Sequence, residues 1–144
     1  MSGNTGESLG GLRIGDAIPE RRYKVTQEQI NRYAEASGDR NPLHTDPEFA
    51  KQTIFRRTIA HGLLTLSFLS QAMAAWDWKG WAAGGGLDIT FLGPVYPDDE
   101  VTVRGTVTAF EVGDEGVYAV CDVACVVNDR TVIAGTARRR LEEA

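Results

Sequence analysis

Cysteine, histidine and positive charge are all scarce in this chain of 144 residues. There are two cysteines, two histidines, and 15 Lys and Arg against 20 Asp and Glu, a formal charge of −5. The acidic balance excludes the basic face that nucleic-acid binding needs, and leaves nothing to hold the chain on an anionic membrane. No apolar run reaches the about 18 residues of a membrane-spanning helix. Met1 to Gly11 has no apolar centre, so it is not a secretory signal and is read as a flexible tail before a single domain over 12–144. Cys121 and Cys125 fall four apart in a predicted strand, about 13 Å along it, too far for a disulfide that needs Cα atoms within about 7 Å. They are read as buried thiols in a reducing, cytoplasmic setting. His44 and His61 with an aspartate are the one grouping that would suit a metal, and no metal is expected.

What is present divides by periodicity. Arg21 to Val25 is a short strand. Thr26 caps a helix that runs to about Ala36, and Gly38 stops it. Asp39 to Asp46 reads as an ordered loop. Asp46-Pro47 restarts a short helix through Lys51. Gly62 to Ala75 has no charge and is apolar on nearly every side, so the spacing predicts a central helix wrapped by other elements. Gly80 to Gly86 breaks that pattern. Four strands follow, over Leu87–Leu92, Val101–Ala109, Val117–Val127 and Val132–Arg138 or beyond. Turns at Gly113-Asp114-Glu115-Gly116 and Asn128-Asp129-Arg130 join the last three. One buried helix followed by an antiparallel meander is an α+β layout. Its open edges make a homodimer or larger homo-oligomer the expectation.

Chemistry concentrates in Ser37-Gly38-Asp39-Arg40-Asn41-Pro42-Leu43-His44. A carboxylate and an imidazole joined by turn-forming residues can converge on one water, and imidazole titrates nearest neutrality. Ala60-His61-Gly62 opens the apolar helix, where a glycine offers a bare N–H at the positive end of the helix dipole. A water-activating pair plus an anion-stabilising N–H is a minimal kit for adding water to a polarised double bond, or removing it. Asp39 and Asn41 are equally ordinary turn residues. Ser67 can bond back to the Leu63 carbonyl, and His61 reads as a structural histidine.

Three separated motifs resemble the MaoC-like hydratase/dehydratase family, whose members have the hotdog fold and include the (R)-specific enoyl-CoA hydratases. They are Tyr33 with Ser37–His44 and Ala50; His61-Gly62 with Ser67; and Phe91-Leu92-Gly93-Pro94-Val95 with Asp98-Asp99-Glu100-Val101. The likeness covers about residues 15 to 140. It implies an antiparallel sheet wrapped around a long central helix, and a hydro-lyase. Asp39 and His44 would hold water beside the double bond of a trans-2-enoyl thioester, with Asp39 as the base toward water and His44 as the proton donor. Gly62 would bind the thioester oxygen, with Asn41 and Ser67 in support. No cofactor is implied beyond the coenzyme A or acyl carrier protein that is part of the substrate. Ala36 departs from a larger aliphatic. Gly93 departs from a basic residue, which puts the usual carrier contact in question.

Outside those motifs, Trp76, Trp78 and Trp81 are candidates for an acyl pocket. Arg56 and Arg57, and the run Arg138 to Arg140, are candidates for phosphate contacts. Two other activities compete with hydration or its reverse, dehydration of a (3R)-hydroxyacyl carrier-protein thioester. A hotdog thioesterase would want a carboxylate on the central helix, and the first is Asp77, beyond the apolar run. A non-catalytic acyl-binding subunit would have no need of the Asp39 and His44 pair.

Overall fold

The computed structural model describes residues 8–141. Five strands form one antiparallel sheet in the order β3-β5-β6-β7-β4, with β3 at Arg21–Lys24, β4 at Gly86–Phe91, β5 at Glu100–Gly113, β6 at Gly116–Val127 and β7 at Arg130–Arg140. The three long strands are consecutive because two-residue turns join them. Gly113 pairs with Gly116, and Val127 with Arg130. Asn128 takes a positive φ of 53° in the second turn, a conformation that asparagine tolerates. A short hairpin, β1 (Ser8–Leu9) with β2 (Leu12–Arg13), precedes the sheet. Part of the predicted tail is therefore ordered, and the rest of it lies outside the described residues.

Helix α1 runs Gln27–Ser37, with the Thr26 side chain accepting from the Gln29 N–H and Gly38 closing it at φ 81°. Two one-turn helices follow, α2 (Pro42–Thr45) and α3 (Pro47–Ala50). Helix α2 replaces the loop predicted there. Asn41 caps it through the Leu43 N–H, and Pro42 supplies a preset φ at its first position. Asp46 caps α3 in the same manner.

The central helix, α4, spans Gly62–Gly84, not Gly62–Ala75. Asp77 leaves helical geometry (φ −157°, ψ 94°), and the chain then resumes for another two turns. Asp77 makes both events possible. One carboxylate oxygen accepts from the Gly80 N–H, as a cap does, and the other pairs with Arg139 at 2.6 Å. Gly80 is required there, because a Cβ would lie 2.1 Å from the Arg140 carbonyl oxygen. Arg139 is thereby turned inward, 7% exposed, with its guanidinium 4.1 Å from the Trp76 ring. It is not part of a solvated cationic run.

The core forms where α4 lies on the sheet. Leu64, Phe68, Leu69, Ala72 and Met73 pack against Val101, Val103, Val107, Cys121, Cys125 and Ile133. Tyr23 stacks on Phe68 at 4.9 Å. Burial pushes the Cys121 and Cys125 thiols up to about 11 and about 12. A bulge between Val107 and Ala109 changes the phase of β5, so Phe110, rather than Ala109, packs on the core beyond it. The helix is not wrapped on all sides, however. Leu63 is 60% exposed, and Gln71 and Ala75 also face outward.

Candidate active site

The site is built from the ends of three helices. After Gly38 the chain turns through Asp39, whose N–H donates to Ser37 Oγ and whose Oδ1 accepts from the Asn41 N–H. Helix α2 then presents His44. Its Nδ1 lies 2.8 Å from the Ile59 carbonyl oxygen. A carbonyl only accepts, so Nδ1 carries the proton, and in the neutral ring the lone pair is on Nε2. The His44 main chain is held as well. Its carbonyl accepts from Gln27 Nε2, and Gln27 Oε1 accepts from Thr58 Oγ1 at 2.6 Å. Gln27 was not singled out in the sequence, where it reads as an ordinary first-turn residue of α1.

His61 precedes α4. It is 2% exposed, and its carbonyl accepts from the Leu64 and Thr65 N–H groups. Its Nε2 donates to the Asp39 carbonyl at 2.9 Å, its ring stacks on His44 at 3.8 Å and 26°, and Tyr33 lies against it at 4.7 Å. One donor atom from each of Asp39, His44 and His61 falls within 4.8 Å of the others. The grouping fits a metal badly. Each neutral imidazole has one lone pair in its ring plane, and an ion about 2.0–2.1 Å from two nitrogens must lie near both planes. Stacked rings send their lone pairs side by side instead.

Burial holds His61 below the ordinary imidazole value. The Asp39 carbonyl pulls it back up, the His44 charge adds to the lowering, and the Asp39 charge opposes it. The unfolded chain therefore takes up a proton, from about pH 6.5 downward, that the folded chain refuses. The stabilisation is whole above that value and is lost as pH falls toward the folded one. Thermal scans of the protein and of His61→Phe should accordingly show a gap in Tm that narrows on going from about pH 7.5 to about pH 5.5. A gap independent of pH would mean that His61 titrates normally.

Gly62 follows as the first residue of α4, so its N–H lies ahead of the first helical bonds, which Leu64 and Thr65 make to the His61 carbonyl. A cleft of about 410 Å³ opens beside it, with Phe55, Ile59, Thr65, Phe91, Pro94 and Ile133 in its walls. A Cβ on Gly62 would stand 2.9 Å from the Phe91 ring, so glycine is what lets the aromatic wall approach the helix start. Asp39 and His44 do not line this cleft. The link is the segment 59–62, where Ile59 holds His44 and Gly62 heads the helix.

Other sequence candidates fall elsewhere. Asn41 braces α2 through the Leu43 N–H. The Ser67 hydroxyl donates to the Leu64 carbonyl at 2.6 Å, one residue later than the Leu63 carbonyl named from the sequence. Trp76 packs on Arg139, Trp81 Nε1 donates to Ser70 Oγ at 3.0 Å, and Trp78 is 65% exposed. None of the three lines the cleft. Arg56 is exposed, with a positive φ of 64°. Arg57 lies 4.7 Å from the Tyr96 ring and donates to the Pro97 carbonyl. Phe55 and Phe91, the cleft's aromatic walls, were not picked out as walls, because nothing in their local sequence says which face they present.

A sheet packed on one long helix, with Asp39, His44 and His61 gathered where that helix begins, defines a hotdog protein. The chain belongs to the family described as the MaoC like domain, whose model matches residues 13–128. It is 30% identical over 113 residues to the (R)-specific enoyl-CoA hydratase of Rhodospirillum rubrum, covering 78% of this chain and 77% of that one. To the mitochondrial 3-hydroxyacyl-[acyl-carrier-protein] dehydratase of Arabidopsis thaliana it is 38% identical over 90 residues, 62% of this chain, and it spans 52% of that protein. The solved (R)-hydratase from A. caviae involved in PHA biosynthesis superposes with a TM-score of 0.79 at 28% identity, over 93% of this chain and all of that one.

Proposed function

We propose that this chain catalyses the reversible hydration of a trans-2-enoyl thioester to the (R)-3-hydroxyacyl thioester. The observation that carries the reading is the convergence of Asp39, with an acceptor carboxylate, and His44, with its Nε2 lone pair exposed by the Ile59 tether, at the start of α4. Water adds at C3 only if the charge that grows on the thioester oxygen is stabilised. The Gly62 N–H is the donor for that oxygen, and one such donor is worth about 3–4 kcal/mol in a transition state. The tether also bears on the division of labour. A neutral His44 with its proton on Nδ1 offers a base at Nε2, so His44 can take the proton from water as readily as Asp39 can. The two act as one coupled acid–base pair.

The same pair run in reverse dehydrates a (3R)-hydroxyacyl carrier-protein thioester, and the dehydratase likeness keeps that second reading. The rim around Tyr96, where Arg57 and Arg130 lie 4.7 and 5.8 Å from the ring, would be the carrier surface. The Arg130 guanidinium lies 3.3 Å from where a Gly93 Cβ would stand, donates to the Pro94 carbonyl and pairs with Asp99 at 3.7 Å. A cation thus occupies the space beside Gly93 from another strand. A thioesterase reading has less behind it, since Asp77 is committed to Gly80 and Arg139. Pairing of two copies belongs to the proposal. It would cover the open edge of β4 and the outward side of α4, where Leu63, Phe91 and Leu92 are at least half exposed.

The test is loss of the conjugated absorbance of crotonyl-CoA on adding the protein, with chiral analysis of the product. The (R)-3-hydroxy product is expected. Free thiol without hydration would establish the thioesterase instead, and neither change a binding subunit. Light scattering on the same preparation gives the assembly.

A further inference from the structure

His61 joins the parts of the proposed machinery. Its Nε2–H reaches the Asp39 carbonyl at 2.9 Å, its ring lies 3.8 Å from that of His44, and its own carbonyl starts α4 next to Gly62. It does this from inside the protein, at 2% exposure, and its Nδ1 has no hydrogen-bond partner. A histidine present only as packing would not need its nitrogen on the carbonyl of the residue that carries the acid. The loop from Gly38 to Asn41 is otherwise exposed, and its other ties among the described residues are short-range ones, including the turn bonds at Ser37 and Asp39 and a solvent-exposed Arg40–Glu35 pair back to α1. The His61 bond, 22 positions along the chain, ties this loop to the start of α4.

We infer that His61 is a positioning residue: its Nε2–H anchors the Asp39 main chain, and its ring seats His44, so that the carboxylate and the imidazole meet over one water. The inference rests on the hydratase reading, and a displacement of about 1 Å in such a pair costs about a hundredfold in rate.

Two requirements follow. The stacked rings must hold opposite tautomers, Nδ1–H on His44 and Nε2–H on His61, because each donates to a carbonyl. The N–H must also matter apart from the ring. Nitrogen-15 correlation spectra of the wild-type protein read the first requirement directly, since the chain has only two histidines. An Nδ1–H tautomer at His61 overturns the inference whether or not the protein hydrates crotonyl-CoA, so it fails separately from the proposed function.

For the second, His61→Phe keeps a ring over His44 and removes the donor. His61→Gln restores an N–H at the same number of bonds from the backbone as Nε2. Expected are a ten- to hundredfold fall in kcat with KM unchanged for His61→Phe, and recovery of most of it in His61→Gln. Hydrogen exchange should rise over residues 38–41 in His61→Phe but not in the sheet. Full activity in His61→Phe, or equal loss in both variants with exchange raised throughout, would make His61 a packing residue only. If His61→Phe does not fold, the wild-type tautomers decide.

Discussion

Asp39→Asn and His44→Ala should each lower the hydration rate of crotonyl-CoA by about a thousandfold or more, within the span expected for loss of a positioned acid–base group. Asparagine keeps the size of the side chain and can still accept from the Asn41 N–H, so the turn survives while the proton acceptor is gone. In His44→Ala a half-buried ring and its bond to the Ile59 carbonyl are removed, but the one-turn helix keeps its cap, Asn41. Both variants should therefore melt within a few degrees of the parent, and the double variant should be no slower than the worse single one, since the two groups act as a unit. Residual turnover above about a tenth of wild type in either would remove the pair from the reaction.

A second large effect is expected in stability. Asp77→Ala removes the carboxylate partner of the Arg139 guanidinium, whose side chain is 8% exposed, and uncaps the helix that resumes after Asp77. Losing one partner of a buried pair costs about 3–5 kcal/mol. Asp77 is itself partly exposed, so about 3 kcal/mol is the better figure after solvent screening, or roughly 10 °C in Tm for a domain of this size. Replacing both members, as Asp77→Ala with Arg139→Leu, should recover part of the loss, because the buried guanidinium no longer has to be accommodated without its carboxylate. Hydration by the folded fraction of Asp77→Ala should be unchanged. Loss of activity in the folded protein would give Asp77 a chemical role and revive the thioesterase reading.

The sequence announced the elements that carry their own punctuation. Thr26 and Gly38 bound α1, Asp46-Pro47 opens α3, and the alternating valines with their turn residues lay out the meander. What it hid depends on partners far along the chain. The glycines after Asp77 look like a stop, but a carboxylate shared with Arg139, 62 positions away, lets the helix break and resume. The bulge in β5 has no glycine to betray it, and it moved the core face from Ala109 to Phe110. At the site, Asp39, His44 and Gly62 stood out by residue type, and the structure sets Asp39 and His44 against His61, the residue before Gly62. The bonds that orient them did not, because Ile59 and Asp39 contribute main-chain oxygens, which leave no mark in a sequence. The cleft walls were missed for a similar reason, since an aromatic side chain reads as core until its neighbours are known.

Those two oxygens have a consequence for how the protein tolerates mutation. Neither acceptor can be deleted by altering a side chain, for every residue at 39 or 59 brings the same peptide carbonyl. Genetic fragility then rests on the imidazole donors, while the carboxylate at position 39 can be exchanged without loosening its own mooring. A copy of this chain that drifted away from catalysis would be expected to shed that carboxylate first and still fold.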